Sequence, residues 1–179
     1  MRSETPRRSA EAGVVVWFTG LPSSGKSTLA RATRAALGPV ASVVLDGDEV
    51  RASLAPPPGF DDASRNDFYE TLARLAATLA KQGLVVLVAA TAHRREYRER
   101  ARALSPRFVE VFVDTPAEEC RRRDAKGLYA AQPPNLPGIG TAFEAPVRPA
   151  LVVHPSDSHA AASVVRLISA PASVPAGSP

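Results

Sequence analysis

The stretch that decides the fold is VVVWFTGLPSSGKSTLA, residues 14–30. Val14 to Thr19 is apolar without alternation, as in a strand buried on both faces of a parallel sheet. Directly after it, Gly20-x4-Gly25-Lys26-Ser27 fits the pattern G-x-x-x-x-G-K-[ST]. Each position has a mechanical task. Gly20 and Gly25 permit backbone angles that turn N–H groups onto phosphate oxygens, in a loop that also carries Ser23, Ser24 and Thr28. Lys26 reaches the β/γ-phosphates, and Ser27 offers a hydroxyl to Mg²⁺. The helix expected from Ser27 to Leu37 points its positive end at the anion. A strand before and a helix after separate a phosphate loop from an ordinary glycine-rich turn.

The same reading continues along the chain. ASVVLD (41–46), LVVLVAAT (84–91), FVEVFVD (108–114) and ALVV (150–153) read as further strands. Ala63 to Gln82 carries Phe68, Leu72, Leu75, Ala76 and Leu79 on one helical stripe. Arg94 to Leu104 reads as a charged helix and Ser158 to Ile168 as a last one. Thr115-Pro116-Ala117-Glu118 has the pattern of an N-cap, a first-turn proline and a capping-box glutamate, opening a helix to about Arg123. Residues 125–149 hold five prolines and cannot form one regular element. They are expected to be a mobile lid loop. Residues 1–12 are expected to be a disordered arm, 13–170 the domain and 171–179 a flexible tail. Alternating strands and helices predict an α/β three-layer sandwich, a P-loop NTPase fold with about five parallel strands and helices on both faces. The loops at 20–28, 46–51 and 89–95 then share one edge.

Composition narrows the function. The net charge is +4, and many arginines cluster in RREYRERAR, 94–102. Arg95 with Glu99 and Glu96 with Arg100 are spaced i,i+4, which suits a solvated, ion-paired helix face better than a nucleic-acid stripe. The longest apolar run is too short to span a bilayer. A single cysteine, Cys120, forms no internal disulfide and reads as inert packing, in keeping with a cytoplasmic location. His93 reads as a surface loop residue.

Many P-loop ATPases place a magnesium-supporting aspartate at the end of a central strand. The strand at 84–91 has none, and no N-K-x-D signature is present, which disfavours motors and GTPases. The candidate carboxylates sit in LDGDEVR, 45–51. Asp46 and Asp48 flank Gly47 at a strand end, where they can orient Mg²⁺ and hold or deprotonate an acceptor hydroxyl. Arg51, one turn on, can clamp an anionic group.

With these residues in place, the chain resembles the adenylylsulfate (APS) kinases over about residues 14–153. The resemblance rests on GLPSSGKSTLA, LDGDEVR, Gly59-Phe60, Arg65, VEVFVDTPAEEC, RDAKGLY (123–129) and FEAP (143–146). It implies transfer of the ATP γ-phosphoryl group to the 3′-hydroxyl of APS with Mg²⁺, a step of sulfate activation. It further implies catalytic roles for Lys26, Asp46 and Asp48, with Ser27 and Asp46 at the metal. Arg123 and Lys126 would cover the nucleotide. Asp48, Arg51, Arg65, Phe60 and Leu136 would meet APS, with Phe60 stacking on adenine. The implied assembly is a homodimer.

The departures fall on the acceptor side. The segment between the aspartates and Gly59-Phe60 is the short, proline-rich ASLAPPP. Phe68 stands where the family commonly has asparagine. Leu136 replaces the second aromatic of the adenine clamp, a loss of about 0.5–1.5 kcal/mol by aromatic-pair magnitudes. Ala92 stands where some members have serine. Two further readings stay open: a kinase of the same fold acting on a different nucleotide-linked acceptor, and a non-catalytic nucleotide-binding module.

Overall fold

Residues 12–124, 127–131, 136–154 and 156–170 are described in the computed structural model. Lys126, most of the expected arm and the expected tail lie outside them.

β1 (Val14–Thr19) is buried at every position. Val14, Val16 and Phe18 join one core cluster, while Val15 and Trp17 join the other. Two apolar layers, one on each sheet face, are the reason for the unbroken apolar run. β1 pairs in parallel with β3 (Val85–Ala89) on one side and β4 (Phe108–Val113) on the other. β2 (Ser42–Asp46) extends the sheet beyond β3, and β5 (Leu151–Val153) extends it beyond β4. The order is β2-β3-β1-β4-β5, all parallel. The predicted five-stranded parallel sheet is what the chain forms.

α1 (Lys26–Leu37) and α7 (Ala160–Ser169) cover one face through Leu29, Ala30, Leu37, Ala160 and Val164. α3 (Asp62–Lys81) and α4 (Arg95–Leu104) cover the other. Asp61 caps α3 by accepting from the Ser64 N–H. Small residues on the buried face, Ala73, Ala76, Ala77 and Ala80, let α3 lie close to the sheet. Leu75, expected in the stripe, is exposed, because the face is centred between Leu72 and Ala76. Among the described residues no helix is long and apolar enough to cross a membrane.

Two local expectations are corrected. Residues 46–51 are no open turn: Gly47–Ser53 forms helix α2. Thr115 does not cap α5 (Ala117–Arg123), whose N-cap is Pro116. The Thr115 hydroxyl donates instead to Ser24 O at 2.8 Å. The segment after α5 also carries a short helix, α6 (Leu128–Ala131).

The chain reverses its direction of winding at β1, whose neighbours are β3 and β4. Ligands bind at the carboxyl ends of strands beside such a switch point. The loops after β1, β2, β3 and β4 all emerge there.

Candidate active site

The loop after β1 is held by sterics and by side chains from outside it. Gly20 has φ 152°, and a Cβ there would lie 2.5 Å from Val113 O. Gly25, at φ 105°, is the left-handed N-cap of α1. Lys26 curls over the loop, its Nζ donating to Leu21 O at 2.6 Å and Gly20 O at 3.1 Å. The loop's outer carbonyls are engaged by residues that follow β4. Thr115 and Arg123 Nη1 both donate to Ser24 O, and the Tyr129 hydroxyl donates to Pro22 O at 3.1 Å. Thr115 and Tyr129 are roles that the sequence reading missed. Threonine beside proline carries a strong capping signal that masks a tertiary contact.

The Ser27 hydroxyl donates to Asp46 Oδ2 at 2.5 Å. The other oxygen, Oδ1, accepts from the Asp48 N–H at 3.0 Å and caps α2. Asp46 is buried, whereas Asp48 is exposed at the mouth. Gly47 presses α2 against the end of β3, where a Cβ would meet Ala90 Cβ at 3.2 Å. The two aspartates therefore differ in environment: one is buried and tied to the phosphate loop, the other is exposed. Ser27 and Asp46 present hard oxygen donors side by side, the donor type Mg²⁺ selects when nucleotide phosphates and water complete its shell.

Arg51 and Arg65 converge on the turn before α3. Arg51 Nη1 donates to Gly59 O at 2.6 Å and Pro58 O at 3.0 Å. Arg65 Nε donates to Phe60 O at 2.6 Å. Phe60 itself is 58% exposed, an apolar ring presented to solvent. Burial lowers the Arg51 pKa from its ordinary value. Phe68 is buried, as its place in the stripe predicts, and lies beneath Arg51. His93 is not a surface residue. It is 1% exposed, with Nδ1 3.5 Å from Arg65 Nη1 and its ring edge-on to Tyr97. Its burial follows from the turn after β3, which folds inward between α3 and α4.

Beside the phosphate loop lies a cavity of about 350 Å³ lined in part by Gly25, Thr28, Arg123, Val113 and His154. Arg123 is held there by Glu119, to which Nε donates at 2.9 Å. Leu136 does not line this cavity. It is buried against Cys120 and Tyr129, with Leu21 alongside, so it packs on the outer side of the phosphate loop. Cys120 is buried, as expected for packing.

The model of the adenylylsulphate kinase family matches residues 12–154. The chain belongs to that family. It is 45% identical to the adenylyl-sulfate kinase of Enterobacter sp. (strain 638) over 76% of this chain and 72% of the relative. It is 41% identical to the adenylyl-sulfate kinase of Yersinia pestis over 83% of this chain and 73% of the relative. Among solved structures, the Mycobacterium tuberculosis APS kinase in complex with AMPPNP and APS superposes with TM-score 0.82 at 38% identity. That likeness covers 89% of this chain and 99% of that one. The protein is thus a P-loop kinase, an ATP-binding phosphotransferase by family.

One further arrangement stands out in this adenylylsulphate kinase family member. Arg98 is wholly buried, and its Nε donates to Glu110 Oε1 at 2.7 Å. Its Nη1 donates to Ala92 O and its Nη2 to Glu144 O. Glu144 N donates to His93 O, while the Glu144 carboxylate accepts from the Arg95 N–H and so caps α4. The FEAP segment is thereby fastened to the turn after β3. The charged helix is therefore not a uniformly solvated face. Its ion pairs include Arg100 with Glu70 and Arg94 with Asp62, which tie it to α3.

Proposed function

We propose that this protein transfers the γ-phosphoryl group of ATP to the 3′-hydroxyl of adenosine 5′-phosphosulfate, yielding 3′-phosphoadenylylsulfate and ADP. The observation that carries the reading is the Ser27–Asp46 hydrogen bond, which ties the phosphate loop to a helix that presents Asp48 and Arg51. Donor and acceptor machinery thus meet at one strand edge. Family membership supplies the substrate class.

Phosphoryl transfer calls for positioning and charge neutralisation more than for covalent chemistry. Lys26 leaves the loop carbonyls to pair with the β/γ-phosphates. Gly20, Ser23, Ser24, Gly25 and Thr28 cradle them through the loop and the start of α1. Ser27 and Asp46 would hold Mg²⁺, which when bound would neutralise phosphate charge and orient the transferred group. Asp48 accepts a hydrogen bond from the acceptor hydroxyl and aims it in line. Arg51 and Arg65 face the phosphosulfate, and Phe60 stacks on the acceptor's base. Arg123 closes over the donor nucleotide, with Lys126 in the same segment. The expected setting is the cytoplasm and the expected assembly a homodimer, which light scattering measures.

A second reading, a different nucleotide-linked acceptor, draws on Phe68 and the short 52–58 segment. ADP release with Mg²⁺-ATP, with and without micromolar APS, decides between them. Strong APS-dependent release is the expected result. ATP binding without APS-dependent release would favour the second reading.

A further inference from the structure

The Arg51 guanidinium lies over two aromatic rings. Its carbon lies 3.9 Å from the Phe68 centroid and 4.6 Å from the Phe60 centroid. Phe68 comes from the buried face of α3, Arg51 from α2 and Phe60 from the turn between them. The same guanidinium grips the turn by donating to Pro58 O and Gly59 O. Arg65 grips it again at Phe60 O.

The chain of contacts has a direction. Phe68 is 3% exposed and fixed by α3, so it is the immobile floor. The Arg51 guanidinium carbon lies over the Phe68 ring face, where a guanidinium gains cation–π attraction. Phe60 is exposed and belongs to a turn, so it has little of its own to hold it. Its backbone is anchored by two arginines, and its ring is backed more closely by Arg51, at 4.6 Å, than by Arg65, at 5.7 Å.

We infer that Phe68 is a specificity-determining positioning residue: it sets the plane of Arg51 and, through it, the orientation of the exposed Phe60 platform on which the acceptor's aromatic base stacks. This rests on the proposed function, because the acceptor named there is the ligand whose affinity Phe68 sets.

The test is a double-mutant cycle of Phe68→Leu and Arg51→Lys, read as KM for APS and KM for ATP. Leucine keeps an apolar side chain at 68 without a ring face, and lysine keeps the charge without the plane. Phe68→Leu is expected to raise the KM for APS about 5- to 30-fold while leaving the KM for ATP within twofold. Phe68→Tyr, which keeps the ring, is expected to restore the wild-type value. In the Arg51→Lys background, Phe68→Leu is expected to add little, because the contact is already lost. Additive effects of the two substitutions, equal rises in both KM values, or a lowered Tm with unchanged KM for APS would each overturn the inference. Wild-type turnover of APS tests the proposed function separately. A wild type idle with APS overturns both, whereas an active wild type with additive variants overturns only the role of Phe68.

Discussion

The Ser27 hydroxyl donates to Asp46 Oδ2 at 2.5 Å, while Asp46 Oδ1 caps α2 through the Asp48 N–H. One carboxylate thus serves the phosphate loop and α2 together. Asp46→Asn keeps a good N-cap but removes the negative charge. It is expected to leave the circular dichroism spectrum intact and to lower kcat/KM by roughly a hundredfold or more, in line with the several kcal/mol that metal-held charge stabilisation supplies. Near-normal turnover at saturating Mg²⁺ would remove Asp46 from the metal site.

Lys26→Ala removes the cation proposed to pair with the β/γ-phosphates. Phosphoryl transfer is expected to fall by about 10²–10³, the cost of losing one preorganised donor to developing charge. Thermal unfolding should show a folded protein. A variant that turned over normally would place the chemistry elsewhere.

Tyr129 Oη and Pro22 O form a buried hydrogen bond across the back of the phosphate loop. Tyr129→Phe leaves that carbonyl without the hydroxyl. Loosening the loop by about 1 kcal/mol corresponds to roughly a fivefold rise in KM for ATP. Initial rates against ATP concentration at fixed APS measure it, and an unchanged KM for ATP would separate Tyr129 from nucleotide binding.

Arg98 and Glu110 are both buried, and removing one partner strands a charge in the interior. Burial pushes the Arg98 pKa down, while the hydrogen bond to Glu110 opposes this. Arg98→Met is expected to cost about 3–5 kcal/mol, a fall in Tm of about 6–20 °C. Arg98→Met combined with Glu110→Leu should regain part of this, because Arg102, the other partner of Glu110, is partly exposed and keeps its water. Differential scanning calorimetry of the three variants distinguishes a stranded charge from lost packing.

Burial, reinforced by Arg65 and Arg94, pushes the His93 imidazole from 6.5 down to about 4, against weaker opposing pulls from Asp62 and Glu144. As pH falls below 6.5 the unfolded chain takes up a proton on His93, whereas the folded chain does so only near 4. The contribution is therefore fully present above the upper value and is lost as pH falls through the window. The slope is at most about 1.4 kcal/mol per pH unit. Urea midpoints measured from about pH 7.5 down to about 5 should fall less steeply for His93→Gln than for the wild type. Parallel curves would show that His93 does not couple to folding.

The sequence by itself determined the layered α/β fold and the phosphate loop. Apolar runs such as Val14–Thr19 report burial on both faces, and the spacing from Gly20 to Ser27 encodes a local turn and helix start. Both signals lie within a few residues, so local sterics and periodicity fix them. Tertiary structure alone decided what lies between elements. Thr115 has the pattern of a cap yet reaches a carbonyl 91 residues away in sequence. His93 has the polarity of a surface residue, but the turn after β3 closes it between α3 and α4. Arg98 sits in a run of charges, and its helix phase, together with Glu110 pointing inward from β4, makes it the most buried cation of the site's scaffold. Phe68 reads as one more apolar stripe residue; that its ring supports Arg51 is settled only by packing α2 against α3. Local energetics choose the element, whereas desolvation and pairing across elements choose the partner, and the partner is not written in the neighbouring residues.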